Sequence, residues 1–420
     1  MDALRRYDGS LDDLAPVRTE RLDRVVVAGG GPSGLVAALA LAREGVPVTV
    51  LEKGSGLAAE SRASTLHPPT LEILASLGVI EPILERGLKA PRTQFRDRRR
   101  GPVATFDLSH LDAETSFPYR IQLEQNKVAA IVADHIRDGH RRGNWDCEIR
   151  LDHRVHGVRL LDDSGATAVV GTREGVVDIE CPWLIAADGA HSAVRRTAGV
   201  PLREDVYPEK FLVVSVADDL SAIFPDIENV NYVADPEQWL VLLRTPDHWR
   251  ILFPLSADHP HPEGEASPEL VAECMRGVTG DDRRWKVLAT SVYTVRRAVV
   301  DSMRRGRLLI IGDAAHQNSP LGGMGMNSGV QDALSAGRRL AEVWRGGSEA
   351  GLDEFDRLRR EVAVQYVQAD SHANWLVLRE PDPVKRAAMH ADLAAAAADP
   401  ERHRDRVRRT AMLDAVRSHL

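Results

Sequence analysis

Two glycine-rich turns hold the groups in this chain best suited to chemistry. In the first, Gly29, Gly31 and Gly34 form a GxGxxG turn, and Glu52 follows 21 residues after Gly31, with Lys53 beside it. Glycines at this spacing let the main chain lie against a pyrophosphate, and an acid at that distance can accept hydrogen bonds from the ribose hydroxyls of an adenine dinucleotide. In the second, Gly312 to Gly329 reads GDAAHQNSPLGGMGMNSG, too long and too oddly composed for ordinary punctuation. Asp313 ends an apolar run there, and Gly322, Gly323 and Gly325 let the backbone approach a flat ligand closely. A shorter turn, Asp188-Gly189, lies between the two.

These turns need strands to deliver them and helices to point at them. Val25 to Ala28 reads as a strand, Leu35 to Arg43 as a helix closed by Gly45, and Pro47 to Leu51 as a second strand ending at Glu52. The helix N-terminus at Pro32 and Ser33 then faces the phosphates. Leu308 to Ile311 reads as a buried strand carrying Asp313 at its C-terminal end, and Asn327 to Leu340 as a helix aimed back at the loop. Trp183 to Arg196 repeats the strand–turn–helix pattern around Asp188.

Residues 205 to 295 have a different texture. Phe211 to Ala217, Val230 to Ala234, Trp239 to Arg244 and Trp249 to Pro254 read as short strands of an antiparallel sheet. Pairing the last two across Pro246-Asp247 puts Trp239, Val241, Leu243, Arg250 and Leu252 on one face. Leu240, Leu242, Arg244, Trp249, Ile251 and Phe253 take the other. Both faces are apolar, so periodicity does not choose between them. After Leu352 the chain reads as helical.

The fold class is therefore α/β with α+β character: a Rossmann-like dinucleotide-binding domain, an inserted antiparallel sheet and C-terminal helices. The expected boundaries are an N-terminal arm at 1–23, a discontinuous binding domain at 24–95, 121–204 and 295–350, a sheet domain at 96–120 and 205–294, and a helical region at 351–420. A net charge of −8 and a pI near 6.0 argue against nucleic acid as the main partner. No stretch has the length and apolarity of a membrane span or the form of a signal peptide, so a cytoplasmic location is expected. Cys147, Cys181 and Cys274 are isolated and read as free buried thiols, and no metal site is expected. His316 reads as a turn histidine held by backbone hydrogen bonds.

Taken together, the GxGxxG turn, the Asp188-Gly189 segment and the GDAAH…P…G…G…N segment resemble the single-component FAD-dependent aromatic hydroxylases of the 4-hydroxybenzoate hydroxylase fold, over about residues 24 to 370. The resemblance implies FAD, with Gly29, Gly31, Gly34, Glu52 and Lys53 on its ADP half and Arg62 near the pyrophosphate. It implies that Gln125 contacts the flavin, although the residue reads equally well as a solvated helix start. It gives Asp188 a role toward FAD and a passing nicotinamide, and it lets Gly312 and Asp313 bind the ribityl chain. Pro320 and Gly322 would lie along the flavin, and the backbone of Gly325, Met326 and Asn327 would face its N1 and O2, where charge accumulates on reduction. Comparison with the family sheet assigns substrate contact to the Arg250 face, with Tyr232, Trp239 and Val241 beside Arg250 and Arg250 as the only charge. The plain alternative for Tyr232 and Trp239 is core packing.

The activity implied is a monooxygenase that uses NADPH or NADH and O2 to hydroxylate a small aromatic, phenolic compound through a flavin C4a-hydroperoxide, with no catalytic side chain. The alternatives are a flavin epoxidase or dehydrogenase on a non-aromatic substrate, and a sensor that binds flavin without turnover. No second dinucleotide unit is present in the sequence, so the nicotinamide cofactor is expected to bind transiently. A homodimer is the assembly considered.

Overall fold

The computed structural model describes residues 6–58, 63–161 and 164–417. At its centre, five parallel strands run in the order Leu308–Ile310, Trp183–Ala186, Val25–Ala28, Val48–Leu51 and Cys147–Arg150, and a short antiparallel strand, Arg304–Arg305, closes one edge. The inner four are entirely buried, as continuous runs such as VVVA and WLIA require when helices cover both faces. Chain order reverses at Val25–Ala28, so a crevice opens beside that strand's C-terminal end, where ligands of open α/β sheets bind. The helix Pro32–Arg43 buries Gly34 to Ala42 between this sheet and the helix Gly325–Trp344.

The N-terminal arm is partly built into the fold. Arg18–Arg21 pairs in parallel with Gly175–Cys181 as the edge of a four-stranded sheet, and Arg18 forms an ion pair with Glu174 at 2.7 Å.

Among the described residues the second large sheet has eight strands, with Leu202–Val216, Trp249–Ser256, Leu240–Arg244, Val230–Ala234 and Arg92–Asp97 in succession; it is antiparallel except where Val230–Ala234 runs parallel to Arg92–Asp97. Arg92–Asp97, Leu202–Val216 and Val287–Val300 belong to it, so its strands run past the limits expected at 95/96, 204/205 and 294/295. The hairpin register matches the sequence reading: Leu243 pairs with Arg250 and Val241 with Leu252. Its two faces build two cores. Leu240, Leu242, Trp249, Ile251 and Phe253 pack against the helix Pro268–Thr279. Tyr232, Trp239, Val241, Phe211 and Leu252 pack toward the C-terminal helices through Leu378, Leu393 and Val407. All three cysteines are free and buried.

Candidate functional site

A cavity of about 360 Å³ begins at the GxGxxG turn, passes the Gly312–Met326 segment and ends against the antiparallel sheet. The three glycines of the first turn do different things. A Cβ on Gly29 would stand 2.4 Å from the Ala187 carbonyl oxygen and one on Gly34 would stand 2.1 Å from the Gly29 carbonyl oxygen, so the fold itself demands both. A Cβ on Gly31 would meet nothing within 4 Å, and Gly31 lines the cavity. That space is open to a ligand lying against the turn. The helix that starts there has no side-chain cap, which leaves its first N–H groups available to an anion. The Glu52 carboxylate accepts hydrogen bonds from Gly30 N at 2.8 Å and Gly54 N at 3.0 Å, which fix it beside the turn. This arrangement fits the pyrophosphate and ribose of an adenine dinucleotide.

A prediction follows from the contrast between the glycines. Gly31 has φ −78°, open to any residue, so Gly31→Ala should leave the ligand-free protein within about 1 kcal/mol of wild type in urea unfolding while weakening dinucleotide binding about 5- to 150-fold by intruding on the ligand. Gly34→Ala should cost about 3 kcal/mol or more of stability. Equal stability losses in the two variants would contradict the assignment.

The second turn is held by a buried charge cluster that the sequence reading missed. Asp332, on the helix Gly325–Trp344, accepts hydrogen bonds from Gly312 N at 3.0 Å and Arg359 Nε at 2.7 Å and lies 2.7 Å from His316 Nε2. All three side chains are at most 2 % exposed. Burial pushes the Asp332 carboxyl up, but His316 and Arg359 outweigh it and hold it at about 2. The expectation that backbone groups hold His316 is therefore corrected: its partner is a carboxylate. The sequence did carry a signal, because a carboxylate between Val330, Ala333 and Leu334 on a buried helix face requires a partner.

Further along the loop, Gly322 is clamped from both sides. Its N–H donates to the Tyr232 hydroxyl at 2.9 Å, and its carbonyl lies 2.8 Å from His67 Nε2. Burial, then the charge of Arg120, push the His67 imidazole down to about 3, so the ring is neutral and donates to the carbonyl from Nε2. Asn327 ties the loop to the neighbouring strand: its Nδ2 donates to Thr65 O at 2.8 Å and its Oδ1 accepts from His67 N at 2.8 Å. The helix N-terminus at Gly325 and Met326 has no side-chain cap and borders the cavity.

The cavity brings together Gly31, Gln125, Arg250, Asp313, Pro320, Gly325 and Met326 from the residues singled out in the sequence. Gln125 begins the helix Gln125–Arg141 and also lines the cavity, where its Oε1 accepts from Ala63 N at 3.3 Å. Arg250 enters with Leu243 and Leu252 and is 5 % exposed. It is not the only charge, because Glu263, Arg296 and Asp313 line the same space. His191, Tyr293 and Asn318 also line it and were not anticipated.

Other residues lie off the cavity wall. The Asp188 carboxylate accepts from Ala193 N at 2.7 Å and Val194 N at 3.2 Å, capping the helix Ala193–Thr197, while its neighbours Ala187 and Gly189 reach the cavity. Gly312 packs against Ser33, and Lys53 is exposed. Trp239 and Val241 share the Arg250 face but are buried in the core, as the plain alternative for Trp239 anticipated. Tyr232 is buried there too, and its hydroxyl is engaged by the Gly322 clamp. Arg62 lies outside the described residues.

Among the described residues no group of acids, histidines and cysteines could hold a metal ion, and no helix is long and apolar enough to cross a membrane. A family model described as FAD binding domain matches residues 23–370. The chain is 32% identical over 371 residues to the para-nitrophenol 4-monooxygenase of Pseudomonas sp. (strain WBC-3), covering 87% of this chain and 90% of that protein. It is 29% identical over 358 residues to a 6-hydroxy-3-succinoylpyridine 3-monooxygenase of Pseudomonas putida, covering 84% and 88%. The crystal structure of a p-nitrophenol 4-monooxygenase from Pseudomonas putida DLL-E4 superposes with a TM-score of 0.85 at 30% identity, over 92% of this chain and 97% of that one. A ternary complex of aklavinone-11 hydroxylase with FAD and aklavinone gives 0.75 at 25% identity, over 86% and 70%. With the fold, the dinucleotide cradle and these likenesses in agreement, the chain belongs to the single-component FAD-dependent aromatic hydroxylases.

Proposed function

We propose that this protein takes electrons from NADH or NADPH and uses O2 to hydroxylate a small phenolic compound held between the flavin site and the Arg250 face of the sheet. The observation that carries this reading is the continuity of one cavity from Gly31 through Asp313 and Pro320 to Leu243, Arg250 and Leu252. This continuity supports a dinucleotide cradle and an apolar, cation-bearing wall that share one space. When bound there, FAD supplies the oxygen chemistry.

The chain's own part is binding, orientation and exclusion of water. Gly31 and the uncapped Pro32–Arg43 helix would receive the pyrophosphate, Glu52 the adenosine ribose and Asp313 the ribityl chain. The N–H groups of Gly325, Met326 and Asn327 would meet the pyrimidine edge of the ring, where the helix dipole favours negative charge. Leu243, Leu252 and Tyr293 would keep the aromatic ring of the substrate dry, and the Arg250 guanidinium would hold a phenolate or another anionic substituent. A cytoplasmic setting is part of the reading, supported by three thiols that are free and buried.

The purified protein should bind a single non-covalent FAD per chain, and Asp313→Ala should weaken FAD retention about tenfold while leaving a folded protein. Absorbance of the bound flavin and circular dichroism check this directly. NADH and NADPH oxidation should then be screened against simple phenols, nitrophenols and polyketide-like aromatics. Stimulation by a phenol with a hydroxylated product supports the reading. A desaturated or epoxidised non-aromatic product would replace it with the alternative chemistry, and FAD binding with no stimulated oxidation would indicate a sensor.

A further inference from the structure

On the far side of the Gly322–Met324 turn lies a second, much smaller cavity of about 20 Å³, walled by Arg120, Arg406, Asn374, Phe95, Phe106 and Tyr232 among others. We propose that it is a binding site for a small monovalent anion of halide size, separate from the substrate cavity.

Arg120 is 3 % exposed and points its guanidinium at neutral partners only. Nη1 donates to Thr93 Oγ1 at 2.8 Å, Nη2 donates to Thr410 O at 3.3 Å, and Nε has no partner. A buried guanidinium normally has a carboxylate, because desolvating an unpaired charge is costly. Here, among the described residues, the cavity wall contains no aspartate or glutamate. The second cation, Arg406, lies over the Phe95 and Phe106 rings, 5.2 and 4.9 Å from their centroids. Asp370 and Asp392 act on Arg406 only through space, being paired with Arg409 at 2.6 Å and Arg402 at 2.7 Å.

Two cations, an amide and aromatic rings without an acid make a wall complementary to negative charge. The volume sets the size of the ligand: a water needs about 10–15 Å³ of such space, so 20 Å³ suits one chloride or bromide and not a bulky organic acid. The site also backs the cofactor loop, because Tyr232 bridges the cavity and the Gly322 N–H. An anion there supplies the counter-charge that the two arginines lack and fixes the wall against which the loop rests.

The test uses the full-length, FAD-loaded protein. Crystals soaked in sodium bromide should show an anomalous peak within about 3.5 Å of the Arg120 guanidinium. In solution, replacing gluconate by chloride at constant ionic strength should raise the unfolding midpoint saturably by about 2 °C, since gluconate is too large to enter. Arg406→Met and Arg120→Met should abolish that rise. Arg406 is only half-buried, so its variant keeps the test decisive if Arg120→Met does not fold. An empty cavity in the bromide crystals, bromide bound only beside Arg250, or a chloride response unchanged in Arg406→Met would overturn the proposal.

Discussion

Asp332→Asn should destabilise the protein by about 3 to 5 kcal/mol and loosen FAD, although Asp332 does not line the 360 Å³ cavity. The substitution leaves Arg359 buried at 0 % exposure without its carboxylate, the situation in which breaking a buried pair costs most. It also weakens the only side-chain hold on Gly312 N found among the described residues, and with it the placement of Asp313. The double variant Asp332→Leu, Arg359→Met should be less destabilised than Asp332→Asn, because it removes both charges together. The same residue sets a pH dependence. Its folded value of about 2 lies below the roughly 3.9 of an unfolded aspartate, so its contribution is fully present above about pH 4 and is lost as pH falls toward 2. That contribution is about 2 to 3 kcal/mol. Urea unfolding of wild type and variant at pH 6 and pH 3 measures both effects. An Asp332→Asn loss that is the same at both pH values would contradict the linkage.

Arg250→Ala should raise the substrate KM at least about 30-fold and waste NAD(P)H without product. Truncating one partner of a buried, hydrogen-bonded charge pair costs about 2 to 5 kcal/mol, and Arg250 is buried against the cavity. Burial pushes its guanidinium down from the ordinary arginine value, with Tyr293 and Glu124 partly restoring it, and an anionic substituent beside it would favour its charged form. Arg244, whose guanidinium stacks over Trp249 at 5.7 Å, serves as the control, and Arg244→Ala should change KM less than about twofold. Steady-state kinetics with product counted against NAD(P)H consumed would separate the two, and the reverse pattern would put the substrate on the other face.

What was legible in the sequence was local. Val25 to Glu52 announces a strand, turn, helix and acid because the glycine spacing and the apolar runs lie within one short segment, and the structure keeps all four in place. The hairpin register of Leu243 and Arg250 was also legible, since a two-residue period and a turn determine it. Which face meets the cavity was not, because both are apolar and the answer depends on where a loop more than 60 residues later docks. The same holds for the Asp332 cluster and for Arg120, whose neighbours come from distant segments at Thr93 and Thr410. Asp188 shows a different case: the carboxylate of a motif position read for ligand contact accepts from Ala193 N and Val194 N at the start of a helix.

If the one cavity that runs from Gly31 to Arg250 holds both the flavin and the aromatic compound, as proposed, arrival of that compound should govern the use of reducing power. The direct measurement is a single turnover of FAD-loaded protein with NAD(P)H under labelled dioxygen, with and without the phenol that the screen identifies. Consumption of NAD(P)H should be slow without the phenol and at least about tenfold faster with it, because gating by the correct substrate is expected of a flavin that must be hidden from water. One labelled oxygen atom should appear in the product. Equal rates with and without the aromatic compound, or a new oxygen atom derived from water, would contradict the account even if FAD is bound.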